Sequence, residues 1–197
     1  MKTQKLNSVT LSIQIVIVII LFTISCGQSE KNAATTNNTE IKKSVDKPTI
    51  DIHTAVLTGN LEVVKQHIKA ETDINLKEPM SGSTPLMSAI TFNKPIIAKA
   101  LINANANLSI KNNDGSTALH NAAFFGRIEI VQMLMDAKAD KTIKNNFGAT
   151  PREIVMSDFA EMKSIYEMLV LQLKPMGFEL DMNELEKARP VVAMMLQ

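Results

Sequence analysis

Three segments of this chain open on a similar turn and recur at a fixed interval: "GSTPLMSAITFNKPIIAKALINANANLSIK" from Gly82, "GSTALHNAAFFGRIEIVQMLMDAKADKTIK" from Gly115 and "GATPREIVMS" from Gly148. The interval is 33 residues both times. An earlier copy, "IHTAVLTGNLEVVKQHIKAETDINLK", starts at Ile52 and is offset by 34 because the loop over residues 78–81 holds one extra residue. Gly82/Gly115/Gly148, Thr84/Thr117/Thr150, Ala55/Ala89/Ala122 and Lys77/Lys111/Lys144 keep register together. A unit of this length cannot bury its own apolar face, so it must stack on its copies. The period therefore dictates a solenoid.

Within each unit the residue types point to two short helices. Thr84, Thr117 and Thr150 stand where a hydroxyl can satisfy an orphan helix amide, and Pro85 and Pro151 follow where a missing N–H costs nothing. Gly59, Asn93 and Gly126 end the first helix, since they tolerate the left-handed backbone that follows a helix. A second helix carries Val63/Val64, Ile97/Ala98 and Ile130/Val131 as its apolar stripe, continued by Leu101 and Leu134. The edges depart from this pattern. His67 stands where Leu101 and Leu134 do, and is expected to be a partly solvated residue of a terminal repeat. Arg152 and Glu153 replace Leu119 and His120, and Phe159 takes the helix-ending slot. The second helix of the fourth unit is read as residues 164–173, after a longer, tilted turn. Asp181 and Glu184 can then cap a terminal helix that places Leu185, Ala188, Val192 and Met195 on one face, although Pro190 interrupts it.

"STPLMSA" and especially "STALHNAAFFG" resemble the ankyrin repeat family. The resemblance implies an all-α ankyrin-repeat solenoid of about four repeats over residues 49–174, with a C-terminal capping helix over 175–197. It also implies that His53 and His120 tie one loop to the next. Recognition in this family is expected at the hairpin tips and the exposed side of each first helix. Carried over residue by residue, that surface has Thr91, Phe92, Phe124, Phe125, Asn113, Asp114, Ser116 and Phe147 as its partner-binding residues, beside Leu57 and Thr58 on the first helix and Met80, Ser81, Ser83, Asn146 and Ala149 at the tips. Four of the seven phenylalanines land there in a chain with 4% aromatics and no tryptophan. An aromatic cluster rimmed by polar groups has the make-up of an interface core.

The other end of the chain reads as an address. Lys2 and Lys5 precede a short apolar run, and the unbroken stretch from Ile15 to Phe22 is too short to span a bilayer. A secretory signal over residues 1–25 fits better. Ser25, Cys26 and Gly27 resemble the lipobox of bacterial lipoproteins, in which the cysteine is lipidated and becomes the mature N-terminus; Thr23 departs from the commonest form. Residues 26–48 are rich in Asn, Thr, Ser, Lys and Glu, and read as a flexible polar linker. Cys26 is the single cysteine of the chain, so no internal disulfide can form.

Little points to chemistry. A net charge of +1 and scattered basic residues give no argument for nucleic acid. No histidine or cysteine pair has ligand spacing, so neither metal nor cofactor is expected. Asp136 and Asp140, near Lys138 and Lys141, read as solvated surface, and no phosphate-binding or nucleophile-elbow motif is present. The expectation is a non-enzymatic, monomeric, lipid-anchored module facing the periplasm of a bacterial envelope, which holds a protein partner in its concave face. The alternative is an immunity or inhibitor protein that neutralises an envelope enzyme or toxin with the same surface.

Overall fold

A computed structural model describes residues 46–197. The expected signal segment, Cys26 and most of the linker lie outside the described residues. The helices are α1 (Ile52–Leu57), α2 (Leu61–Lys69), α3 (Pro85–Thr91), α4 (Pro95–Asn103), α5 (Ala118–Phe124), α6 (Ile128–Asp136), α7 (Pro151–Met156), α8 (Phe159–Leu173) and α9 (Met182–Met195), with a 3-10 turn over Lys174–Met176. Among the described residues there is no strand. None of these helices is long and apolar enough to cross a membrane.

The helix starts are capped as the residue types demand. Asp51 accepts from Thr54 N at 3.0 Å and Thr84 from Met87 N at 3.3 Å. Thr150 accepts from Glu153 N at 3.3 Å while the Glu153 carboxylate accepts from Thr150 N at 2.7 Å, a reciprocal capping box. At the other end Gly59, Asn93 and Gly126 adopt φ of +72°, +50° and +61°, which turns the chain from each first helix into the second.

Two rows of helices result. The first helices stack α1 on α3, α3 on α5 and α5 on α7, and the second helices stack α2 on α4 and α4 on α6. A continuous core runs between the rows through Ala55, Val64, Leu86, Ile90, Leu101, Leu119, Ala122 and Leu134. Each fully buried leucine or isoleucine there contributes about 1.5–3 kcal/mol.

The fourth repeat is built differently from the expectation. α9, not residues 164–173, packs against α6 and α7 and so continues the second row. Val192, Ala193 and Leu196 extend the core to the end of the chain. α9 keeps the expected cap, with Asp181 accepting from Asn183 N at 2.8 Å and Glu184 N at 3.1 Å. Pro190 does fall inside this helix, on its exposed side. Phe159, expected to end a helix, instead begins α8 behind the Asp158 cap. The sequence register fails here because α8 belongs to neither row.

His67 also differs from the expectation of partial solvation. It is 3% exposed, donates from Nε2 to Ile50 O at 2.8 Å and meets Thr72 Oγ1 at 2.9 Å. Burial is tolerated because both ring nitrogens have partners.

Candidate functional site

The loops between repeats form a row of tips along one edge. Each tip closes on itself, through Asn112 N to Ser116 O at 2.9 Å and Asn145 N to Ala149 O at 3.0 Å. Successive tips are then stitched at a 33-residue separation. Asn113 Nδ2 donates to Met80 O at 2.9 Å, and Asn146 Nδ2 to Asn113 O at 3.0 Å. Gly115 makes the close approach possible: with φ of +73°, a Cβ there would stand 2.8 Å from Asn146 N. His120 locks the third tip from below. Its Nδ1 accepts from Thr117 N at 3.1 Å and its Nε2 donates to Ala149 O at 3.1 Å, and burial pushes the imidazole below its ordinary pKa. His53 likewise donates to Leu76 O at 2.8 Å.

On this rigid edge two large apolar side chains face outward, Met80 at 68% exposure and Phe147 at 57%. Asn113 and Asp114 beside them are exposed. Ser116 is not available: it is 8% exposed and packs beside Asn145.

The other predicted aromatics come together at the ends of the first-row helices, and there the chain covers them itself. Phe92 caps α3, Phe124 closes α5 and Phe125 follows it. Phe178, from the segment between the 3-10 turn and α9, lies edge-on to both Phe92 at 6.1 Å and Phe125 at 5.5 Å between centroids. Tyr166 of α8 packs on Phe124 at 4.6 Å, and Phe159 on Tyr166 at 6.1 Å. Phe125, expected on an accessible face, is therefore buried at 7% exposure, whereas Phe92, Phe124 and Thr91 are half-buried.

Arg189 holds the cover in place, and Arg127 lies at the edge of the covered cluster. Arg189 of α9 is 4% exposed and donates to Tyr166 Oη at 3.1 Å, Ile154 O at 3.4 Å and the carbonyl of Ser157. Tyr166 in turn donates to Phe124 O at 2.9 Å, and burial pushes its phenol up, so the proton stays on. Arg127 stands 5.9 Å from the Phe125 ring and donates to Thr91 O at 3.3 Å. Burial pushes its guanidinium down to about 10, still charged at neutral pH.

Arg127 also lines an open groove of about 750 Å³ with Ile128, Glu179, Asp181, Leu185 and Ala188. Its charges are mixed, and no nucleophile stands beside a base in it. Among the described residues no three His, Cys, Asp or Glu side chains are grouped to hold a metal ion. The surface offers apolar side chains and amides on a stiff scaffold, which suits recognition.

Sequence reasoning missed Tyr166, Phe178, Arg127 and Arg189. The usable signal was length: α8 has 15 residues against nine in α2, α4 and α6, and carries its own Asp158 cap.

Known proteins agree with the architecture. Residues 52–145 match the family model described as ankyrin repeats (3 copies). A 63-residue stretch is 42% identical to protein phosphatase 1 regulatory subunit 27 of Homo sapiens, and a stretch of the same length is 42% identical to that of Mus musculus. The match covers 32% of this chain and only 40% of each relative. The repeats over residues 52–145 are ankyrin repeats, and the described fold is an all-α ankyrin-repeat solenoid that ends in a C-terminal helix.

Proposed function

We propose that this chain is a non-enzymatic binding module that captures a protein partner along its row of hairpin tips and the adjoining rim of its concave face. The observation that carries this reading is the pair Met80 and Phe147, exposed on tips that are stitched together by Asn113 and Asn146. Large apolar side chains rimmed by Asn and Asp, on tips whose backbones are already hydrogen-bonded to one another, can be buried on binding without the cost of ordering the loops. The test is affinity capture with the full chain carrying Met80→Ser and Phe147→Ser. Capture of the partner should fall at least about tenfold with unfolding unchanged, since removing two such contacts costs over a kcal/mol. Undiminished capture would refute the assignment.

The finer reading places this module on a membrane, tethered by a lipid at Cys26 and facing the periplasm of a bacterial envelope. It rests on the sequence around Leu21–Gly27. Cys26→Ser should abolish incorporation of a labelled fatty acid and release the protein from the membrane fraction. Labelling that persists in Cys26→Ser would refute it.

A second reading, an immunity or inhibitor protein acting on an envelope enzyme or toxin, gains support from the similarity to a relative named as a regulatory subunit of an enzyme. Deletion lethal only in the presence of an adjacent toxin gene would favour inhibition. Viable deletion with a mislocalised partner would favour scaffolding.

A further inference from the structure

The row of hairpin tips is held together by one contact made twice. Asn113 donates from its backbone N to Ser81 O at 2.9 Å and from Nδ2 to Met80 O at 2.9 Å. Asn146, 33 residues on, donates in the same way to Asp114 O at 2.9 Å and to Asn113 O at 3.0 Å. Each asparagine also lies over the glycine of the tip before it. A Cβ on Gly82 would stand 3.1 Å from Asn113 Cγ, and one on Gly115 would stand 2.8 Å from Asn146 Cγ. A tip therefore presents a seat of three parts: two successive carbonyls as acceptors, and a glycine whose missing Cβ leaves room for the side-chain amide.

The third tip carries the same three parts, which in register are Asn146 O, Phe147 O and Gly148. Among the described residues no donor reaches either carbonyl. A Cβ on Gly148 would meet nothing within 4 Å, and Gly148 is exposed whereas Gly82 and Gly115 are buried. The chain supplies no further asparagine to this end of the row. Beyond Thr150 it enters α7, and Glu179, 33 residues after Asn146, lies between the 3-10 turn and α9. The opposite end of the row is closed. Met80, in register with Asn113, has its N–H held by Glu78 Oε2 at 2.7 Å, and Glu78 Oε1 takes the Ser81 N–H at 2.6 Å. A second copy of this chain thus brings neither an asparagine nor a free N–H on its leading tip.

We propose that Asn146 O, Phe147 O and Gly148 form a binding seat for an asparagine on a turn of the partner protein, which continues the ladder as Asn113 and Asn146 do. This deepens the binding role proposed above and rests on it for the existence of a partner. The seat specifies its occupant. Two carbonyls demand two donors, so aspartate is rejected, because its carboxylate would face a carbonyl oxygen. Proline is rejected for want of the N–H. Phe147, whose carbonyl is part of the seat, adds a ring that is 57% exposed for the incoming turn to cover.

The test is a titration of the isotope-labelled full chain with a cyclic synthetic peptide of residues 143–150, followed by amide NMR shifts. Asn145 closes this turn through the amides of Phe147 and Ala149, which leaves Asn146 to be presented. The amides of Phe147, Gly148 and Ala149 should shift saturably, with a dissociation constant of about a millimolar. Those of Met80 and Ser81 should not respond. A peptide carrying Asn146→Asp should bind at least about tenfold more weakly, having lost a donor. Gly148→Ala in the chain should weaken binding of the asparagine peptide by a similar factor; if that variant does not unfold cooperatively, the comparison of the two peptides decides. Equal binding of the two peptides, no saturable shift, or shifts at Met80 and Ser81 that match those at Gly148 would overturn the proposal. Concentration-dependent shifts at Phe147 and Gly148 in the chain without peptide would assign the seat to a second copy, and would overturn it too. No cellular partner is needed, so failure of the seat is separable from failure of capture through Met80 and Phe147.

Discussion

Arg189 on α9 donates to the phenolic oxygen of Tyr166 on α8 at 3.1 Å, and Tyr166 donates onward to the Phe124 carbonyl at 2.9 Å. This chain of two hydrogen bonds links the second row of helices, the inserted helix and the first row. Arg189 also serves the carbonyls of Ile154 and Ser157 at the end of α7. Arg189→Met should therefore cost about 2–4 kcal/mol in urea unfolding, because it takes the donor from the buried Tyr166 oxygen and from two part-buried carbonyls. Tyr166→Phe, which removes only the hydroxyl, should cost about 1–2 kcal/mol.

The two phenylalanines expected on one recognition surface part company in the structure. Phe125→Ala should destabilise by about 3–5 kcal/mol, as for an aromatic side chain removed from a core. Phe147→Ala should change stability by less than about 0.5 kcal/mol, since the ring stands in solvent. Denaturant midpoints of the two variants, measured side by side, check both.

Gly126 and Gly148 share a left-handed backbone but not a neighbourhood. A Cβ at Gly126 would meet Leu185 Cδ1 at 2.9 Å and Ala188 Cβ at 3.0 Å, whereas one at Gly148 meets nothing within 4 Å. Gly148→Ala should cost about 1–2 kcal/mol from backbone strain alone. Gly126→Ala should cost more, because α9 must move away from the stack. Thermal unfolding of the pair isolates the contact with α9.

Much of the solenoid was legible because its signals are local and repeated. Thr84 and Thr150 announce helix starts, Asn93 and Gly126 announce turns, and Leu101 and Leu134 mark the buried stripe; each works within a few residues of itself. The fourth repeat was illegible because its second helix comes from 26 residues beyond the end of α7 (Met156 to Met182). Residues 164–173 fit that position only with two residues inserted in the turn, after which Ile165, Tyr166 and Leu169 follow the spacing of Ile130, Val131 and Leu134. What excludes them is nonlocal: Leu185 and Ala188 against Gly126, and Arg189 reaching Tyr166 and Ser157. The exposure of Phe147, Asn113 and Asp114 at the tips was readable from their place in the repeat. Phe125 was misplaced because Phe178, which covers it, is 53 residues away in sequence.

His120 gives the fold a pH dependence of defined sign. Burial, with a smaller contribution from the nearby Lys111 charge, holds its imidazole below the ordinary value of 6.5. The unfolded chain therefore takes up the proton more readily. The stability supplied by the neutral ring is fully present above 6.5 and is lost as pH falls below it. Urea midpoints taken from about pH 7.5 down to about pH 5.5 should decline, and His120→Gln should flatten that part of the curve.

The most direct test of the binding role is a photo-crosslinking residue placed at Phe147 of the full chain, irradiated in intact cells, with adducts identified by mass spectrometry. One dominant protein adduct at Phe147, absent when the crosslinker is moved to Val191 on α9, is the predicted result. No adduct at Phe147 together with a strong one at Val191 would contradict it, and would move recognition from the hairpin tips to the C-terminal helix.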